Sequence, residues 1–223
     1  MRTLATLMLT SALALSAAPA FAADLAPADL GPVKAPNTML NWSAGLEVSP
    51  EFYAVTKGKN TAGNYADTAI KASLGYTFDQ NWVLNGSFQA TLKNNSTQQY
   101  YAEGGVGYKF KFGDFTLTPQ AALGETWDAT GLGDDGEASA LYYALYLAGD
   151  LKLNKQWSWN VFNLRWRDAF DYQWQTPKVA TGLTYAFSDA AKLNVNLGYS
   201  WKNTGDGYYG DKINVAMAMK YAF

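Results

Sequence analysis

Cysteine and histidine are both absent from the 223 residues. The first absence excludes a disulfide framework and any thiolate metal centre. The second removes the usual general base at neutral pH and the commonest metal ligand. Long apolar runs are missing as well. Beyond residue 22, no stretch approaches the roughly 20 apolar residues that a membrane-spanning helix requires. Neither sign of charge dominates, with 17 basic against 19 acidic residues, so the chain lacks the basic footprint of a nucleic-acid binder. What it has instead is aromatic residues, at 15%, and 20 glycines. If such a chain crosses a membrane, it must do so as a closed barrel, because only helices and closed sheets satisfy their own backbone in lipid.

The first 22 residues carry a basic start at Arg2, an apolar stretch from Leu4 to Ala17 and the small-x-small Ala20-Phe21-Ala22. That order predicts a cleaved secretory signal peptide over 1–22. Residues 23–38, rich in proline and without periodicity, read as an extended periplasmic linker. The remainder, 39–223, reads as one structural unit.

Within that unit apolar and polar residues alternate. At the far end Ile213, Val215, Met217, Met219, Tyr221 and Phe223 interleave with Lys212, Asn214, Ala216, Ala218, Lys220 and Ala222. A period of two is that of a strand with one apolar and one polar face. The pattern recurs through ten segments from Trp42 onward. In WSWNVFNLRWRDAF one face is continuous only if a residue is inserted near Val161-Phe162, which predicts a β-bulge. Pro50 and Pro119 fall on the apolar faces, where each predicts a bulge or a gap in the ladder. The connections alternate too. DQN (79–81), GD (113–114), NKQ (154–156) and SDAA (188–191) are short, whereas 56–66, 131–140 and 204–210 are long. Short turns at one end and long loops at the other are the plan of membrane β-barrels.

Alternation does not say which face is outside, and a soluble barrel would turn its apolar face inward. Three features favour the reverse. The segments have about the length that crosses a bilayer when tilted. Apolar-face aromatics gather at the segment ends: Phe78, Trp82, Phe112, Phe115, Trp157, Phe187 and Phe223 by the short turns, and Phe52, Trp127, Trp166 and Trp201 by the loops, as interfacial girdles do. The polar face is dominated by small residues suited to a narrow lumen. The fold class expected is all-β, a closed up-and-down antiparallel transmembrane β-barrel of about ten strands, with eight as the alternative.

The closing Tyr221-Ala222-Phe223, with apolar residues at every second position before it, resembles the C-terminal signal of bacterial outer-membrane β-barrel proteins. The lead-in ADLAPADLGPVKAP followed by Asn41-Trp42 is similar to small alphaproteobacterial proteins of the Omp25 type, which usually have eight strands. The first resemblance implies export to the bacterial outer membrane and contact with its lipid and lipopolysaccharide. It also implies recognition of Tyr221 and Phe223 by the barrel-assembly machinery. Barrel hydrolases of that membrane rely on a histidine base, which this chain lacks, so no enzyme activity and no cofactor are expected.

On the inward face basic positions outnumber acidic ones. Lys71, Lys178, Arg165 and Arg167 fall toward the loop end and Lys109 and Lys192 toward the turn end, with Glu47, Glu51 and Glu103 among the balancing carboxylates. Two functions follow from this lumen. One is a narrow porin-like channel for small anionic solutes, with Arg165 and Arg167 as a basic strip near the outer mouth. The other is a closed structural or anchoring barrel, whose glutamates neutralise neighbouring cations in a packed polar core. Asp134, Asp135 and Glu137 lack a calcium-loop spacing and read as a solvated acidic loop, not a metal site.

Overall fold

In the computed structural model, the residues described are 41–223, except 59, 80, 94–97, 133–136, 172, 204 and 206; of 128–132, 137 and 138 only the backbone is described. The expected signal peptide and linker, and Asp134 and Asp135 of the acidic loop, lie outside the described residues, and Glu137 opens a strand of which only the backbone is described there.

The strands are β1 (Trp42–Tyr53), β2 (Tyr65–Phe78), β3 (Trp82–Lys93), β4 (Gln99–Tyr108), β5 (Phe110–Phe112), β6 (Phe115–Leu132), β7 (Glu137–Lys152), β8 (Trp157–Ala169), β9 (Lys178–Ala186), β10 (Ala191–Lys202) and β11 (Tyr209–Ala222). Neighbours in sequence pair antiparallel except β4 and β5, both of which pair with β6, and β1 pairs with β11, so the sheet closes on itself. No helix occurs among the described residues.

β4 and β5 form one stave, which brings the stave count to the expected ten and sets the eight-stranded alternative aside. Gly107 opposes Gln120 and Phe110 opposes Leu117 in a single unbroken register. Between them the ladder lapses where Tyr108 faces Pro119, because proline has no N–H to donate. Pro50 produces the same lapse against β11: pairing runs through Val48↔Met217, skips, and resumes at Glu51↔Asn214. The bulge expected near Val161 is also present, as register shifts on both sides of β8. It keeps Leu164 outside while Asn163, Arg165 and Arg167 turn inward. The Gly113-Asp114 turn joins Phe112 to its partner Phe115, and Gly113 adopts a φ of +62°, which a side chain would disfavour.

The barrel is inside out relative to a soluble one. Leu123 is 64% exposed and Phe112 62%, on the outer face, while Tyr142 and Ala144 on the inner face are wholly buried. A strand of 12 residues such as β1 is about 40 Å long and, tilted by about 40°, spans roughly the 30 Å of a bilayer's hydrocarbon. Aromatic rings gather at both margins. Trp42, Tyr76, Phe78, Trp82, Tyr108 and Phe110 form a contiguous chain at the turn end, and Phe88, Tyr100 and Trp127 pack together at the loop end.

Closure leaves the wall tight at particular places. A Cβ on Gly182 would run into Val195 O and Asn196 Oδ1 and stand 2.7 Å from Asn196 Cα. Two of these atoms are backbone and cannot yield without breaking the β9–β10 ladder. Gly182→Ala is expected to cost about 1–3 kcal/mol, the range for overpacking, read as a lower urea midpoint for the refolded barrel in lipid.

Candidate functional site

The inward faces enclose a cavity of about 480 Å³. Its two sides differ. On the β9–β11 side Ala180, Ala216 and Ala218 leave space, and Lys178 lies flat across Gly198, where a Cβ would stand 2.8 Å from its Cε. On the β6–β8 side the interior is packed solid by Ala122, Ala140, Tyr142, Ala144 and Ala169, with Tyr101, Tyr146 and Trp174 against them.

Six basic side chains line the cavity (Lys71, Lys109, Arg165, Arg167, Lys178 and Lys220), against two carboxylates, Glu47 and Glu103. Lys71 stands 4.0 Å from Glu47, its register partner across β1 and β2. Arg167 is bound to Glu103. Lys109 reaches only the Thr77 hydroxyl, at 3.4 Å, and Arg165 donates to the Thr176 carbonyl at 3.2 Å. Among the described residues Lys178 and Lys220 have neither a carboxylate within 4.0 Å nor a hydrogen-bond acceptor. Unbalanced cations in a polar cavity persist only where water or a mobile anion reaches them.

Toward its loop end the cavity is lined by a plate built on Glu103. Its Oε1 accepts from the Tyr146 hydroxyl at 2.6 Å, and its Oε2 from Tyr142 at 3.1 Å and from Arg167 Nη2 at 3.5 Å. The Arg167 guanidinium lies 4.9 Å from the Tyr101 ring centre, 4.7 Å from Tyr142 and 5.9 Å from Trp174, distances at which ring faces attract a cation. Both ion-pair members are nearly dry, with Arg167 8% and Glu103 11% exposed at the side chain. A second cluster joins the first and last strands: Lys212 of β11 donates to Glu51 of β1 at 2.8 Å and to Asp67 of β2 at 2.5 Å.

Of the residues named from sequence, Glu47, Lys71, Glu103, Lys109, Arg165, Arg167 and Lys178 line the cavity. Glu51 instead belongs to the Lys212 cluster, and Lys192 is exposed outside the lining at the turn end, in register with Lys220. Arg165 and Arg167 do not form a free basic strip: one is tied to backbone and the other to Glu103. Tyr221 and Phe223 face outward, their rings stacked 6.4 Å apart. Trp174 was not foreseen. It sits in a connection without strand periodicity, and its sequence neighbourhood carries no signal that it turns into the barrel. Among the described residues no group of three or more acidic side chains could hold a metal ion.

No protein-family model matches the sequence, and no curated protein is similar to it. Solved structures do resemble the fold, and they are bacterial outer-membrane β-barrels. The β domain of the Bordetella autotransporter BrkA superposes with a TM-score of 0.52 at 10% identity, over 82% of this chain and 99% of that one. An outer-membrane channel from Pseudomonas putida F1 gives 0.46 at 10% identity, over 87% and 100%. The KdgM porin gives 0.42 at 14% identity, over 80% and 99%. The first of these shares the barrel fold. The Omp25-type likeness concerns the lead-in alone, which falls outside the described residues.

Proposed function

We propose that this barrel resides in the bacterial outer membrane and serves as a narrow porin-like channel that favours small anionic solutes. The observation that carries this reading is the excess of cations around the 480 Å³ cavity, six against two, with Lys178 and Lys220 facing no carboxylate. A lumen lined by unbalanced lysines attracts anions and repels cations, and its narrow bore sharpens the discrimination. On the same reading Tyr221 and Phe223 present an assembly signal to the barrel-assembly machinery, and the outer girdle meets lipopolysaccharide.

The test is conductance of the refolded barrel in a planar bilayer under a salt gradient. Discrete steps with a reversal potential on the anion side are expected. Lys178→Glu combined with Lys220→Glu would leave four basic and four acidic lining residues, and should bring the reversal potential to zero or across it. The rival reading, a non-conducting structural or anchoring barrel, draws on the Glu103–Arg167 plate, which is neutral and closed. Protein shown to be folded that gives no steps in any variant would establish the rival.

A further inference from the structure

Given the channel reading on which it rests, we infer that Trp174 is a dewetting gate: the side chain that keeps the outer mouth dry, and so the residue that sets what passes. The plate contains two kinds of part. Tyr101, Glu103, Tyr142, Tyr146 and Arg167 stand on ladder-paired strands, and Tyr142, Tyr146 and Arg167 are bonded to Glu103. Trp174 stands on the connection between β8 and β9, where its carbonyl accepts from Ala169 N–H at 3.2 Å, and its side chain is held by ring faces alone. It packs 6.4 Å from Tyr101 at 23° and 5.9 Å from Tyr142 at 62°, and among the described residues its indole N–H has no acceptor. The backbone next to it is fixed. Gln175 and Asn203 exchange N–H···O bonds of 3.0 and 2.9 Å, and Thr176 N–H donates to the Arg167 carbonyl at 2.9 Å. The indole can therefore swing by side-chain rotation while the barrel keeps every hydrogen bond, which Tyr142, Tyr146 and Arg167, bonded to Glu103, cannot do.

What lies beneath it supplies the reason to swing. Arg165 Nε, Arg167 Nε and Thr176 Oγ1 are all buried without a hydrogen-bond partner among the described residues. All three cluster around one connection: Arg165 donates to the Thr176 carbonyl, and Arg167 lies under the Trp174 ring. Buried polar groups without partners are costly. The loop-side mouth thus holds three dehydrated groups around the connection that carries Trp174, with Arg167 beneath its ring, and displacing that ring lets water, or an anion with its hydration, reach the guanidinium. Hydrophobic constrictions in channels open by such wetting. Once wet, Arg167 favours anion passage instead of blocking it.

The chain has no cysteine, so Asn163→Cys, in the cavity below the plate, gives a single reporter thiol. It would be labelled with an anionic thiol reagent added from either side of a bilayer holding the full-length mature barrel, in parallel with conductance. Trp174→Ala is expected to speed labelling from the loop side about tenfold or more and to raise single-channel conductance several-fold, while Trp174→Phe stays near the parent. If Trp174→Ala matches the parent in both measurements while the thiol still reacts from the turn side, the gate is wrong and the channel reading stands. If the thiol reacts from neither side and no variant conducts, the channel reading falls and the gate falls with it.

Discussion

Replacing Lys212 with methionine is expected to destabilise the barrel by about 3 kcal/mol, because it removes the cation that bridges Glu51 and Asp67. The two carboxylates are register partners on β1 and β2, and Lys212 reaches both from β11. Without the ammonium, two carboxyl groups stay side by side with no counter-ion in a largely dry site, where Asp67 Oδ1 already lacks a partner, and they must either repel or share a proton. Breaking a buried pair by removing one member typically costs 3–5 kcal/mol. The lower end applies because the Lys212 side chain keeps 21% of its exposure. Urea unfolding in lipid would read the loss. The double variant Lys212→Met with Glu51→Gln should recover at least half of it, since the remaining carboxylate then has an amide for a neighbour; the non-additivity is the signature of direct coupling. Equal midpoints for the single variant and the parent would show that the cluster contributes nothing to stability. The location gives the result weight, since the ion pair clamps the seam where the first strand meets the last.

Glu103 should show a comparable effect by a different route. Glu103→Ala strips the acceptor from Tyr142, Tyr146 and Arg167 at once, and leaves a guanidinium uncompensated among aromatic rings. A loss of about 3–5 kcal/mol is expected. Glu103→Gln keeps the shape and one acceptor oxygen for Tyr142 and Arg167, and turns an NH2 toward the Tyr146 hydroxyl, which can rotate to accept, so its cost should be clearly smaller, on the order of 1–2 kcal/mol. That ranking, alanine worse than glutamine, separates a hydrogen-bonded plate from a purely electrostatic one, in which both replacements would cost the same. The cation–π contacts of Arg167 with Tyr101 and Tyr142 persist in either variant and limit the damage.

The barrel was legible in the sequence to an unusual depth, and the reason is periodicity. Whether Leu145 faces lipid and Tyr146 faces the lumen depends only on counting by twos. The Val161 bulge and the lapses at Pro50 and Pro119 followed from local rules as well, one from a broken phase and two from a missing N–H. What periodicity cannot supply is which inward residues meet. Arg167 finds Glu103 across 64 positions, and Lys212 finds Glu51 across 161 and Asp67 across 145. Those encounters are fixed by strand stagger and closure, which no local window contains. For this reason the inward charges can be named from the sequence, and both a basic strip and a neutralised core stay open there, while the pairing of Arg167 with Glu103 is visible only in the closed barrel. Trp174 escaped for a related reason: it lies outside every alternating segment, so nothing marked it as facing anything.

The uneven packing of the two sides changes how position inside this barrel should be understood. Ala144 and Ala216 are both inward and both buried, yet Ala144 belongs to the packed β6–β8 side and Ala216 borders the cavity. On the channel reading, a solute passing through would meet a packed wall on one sector and small inward residues on another. How strongly a lumen residue shaped its passage would then be set by azimuth around the barrel as much as by depth in the membrane.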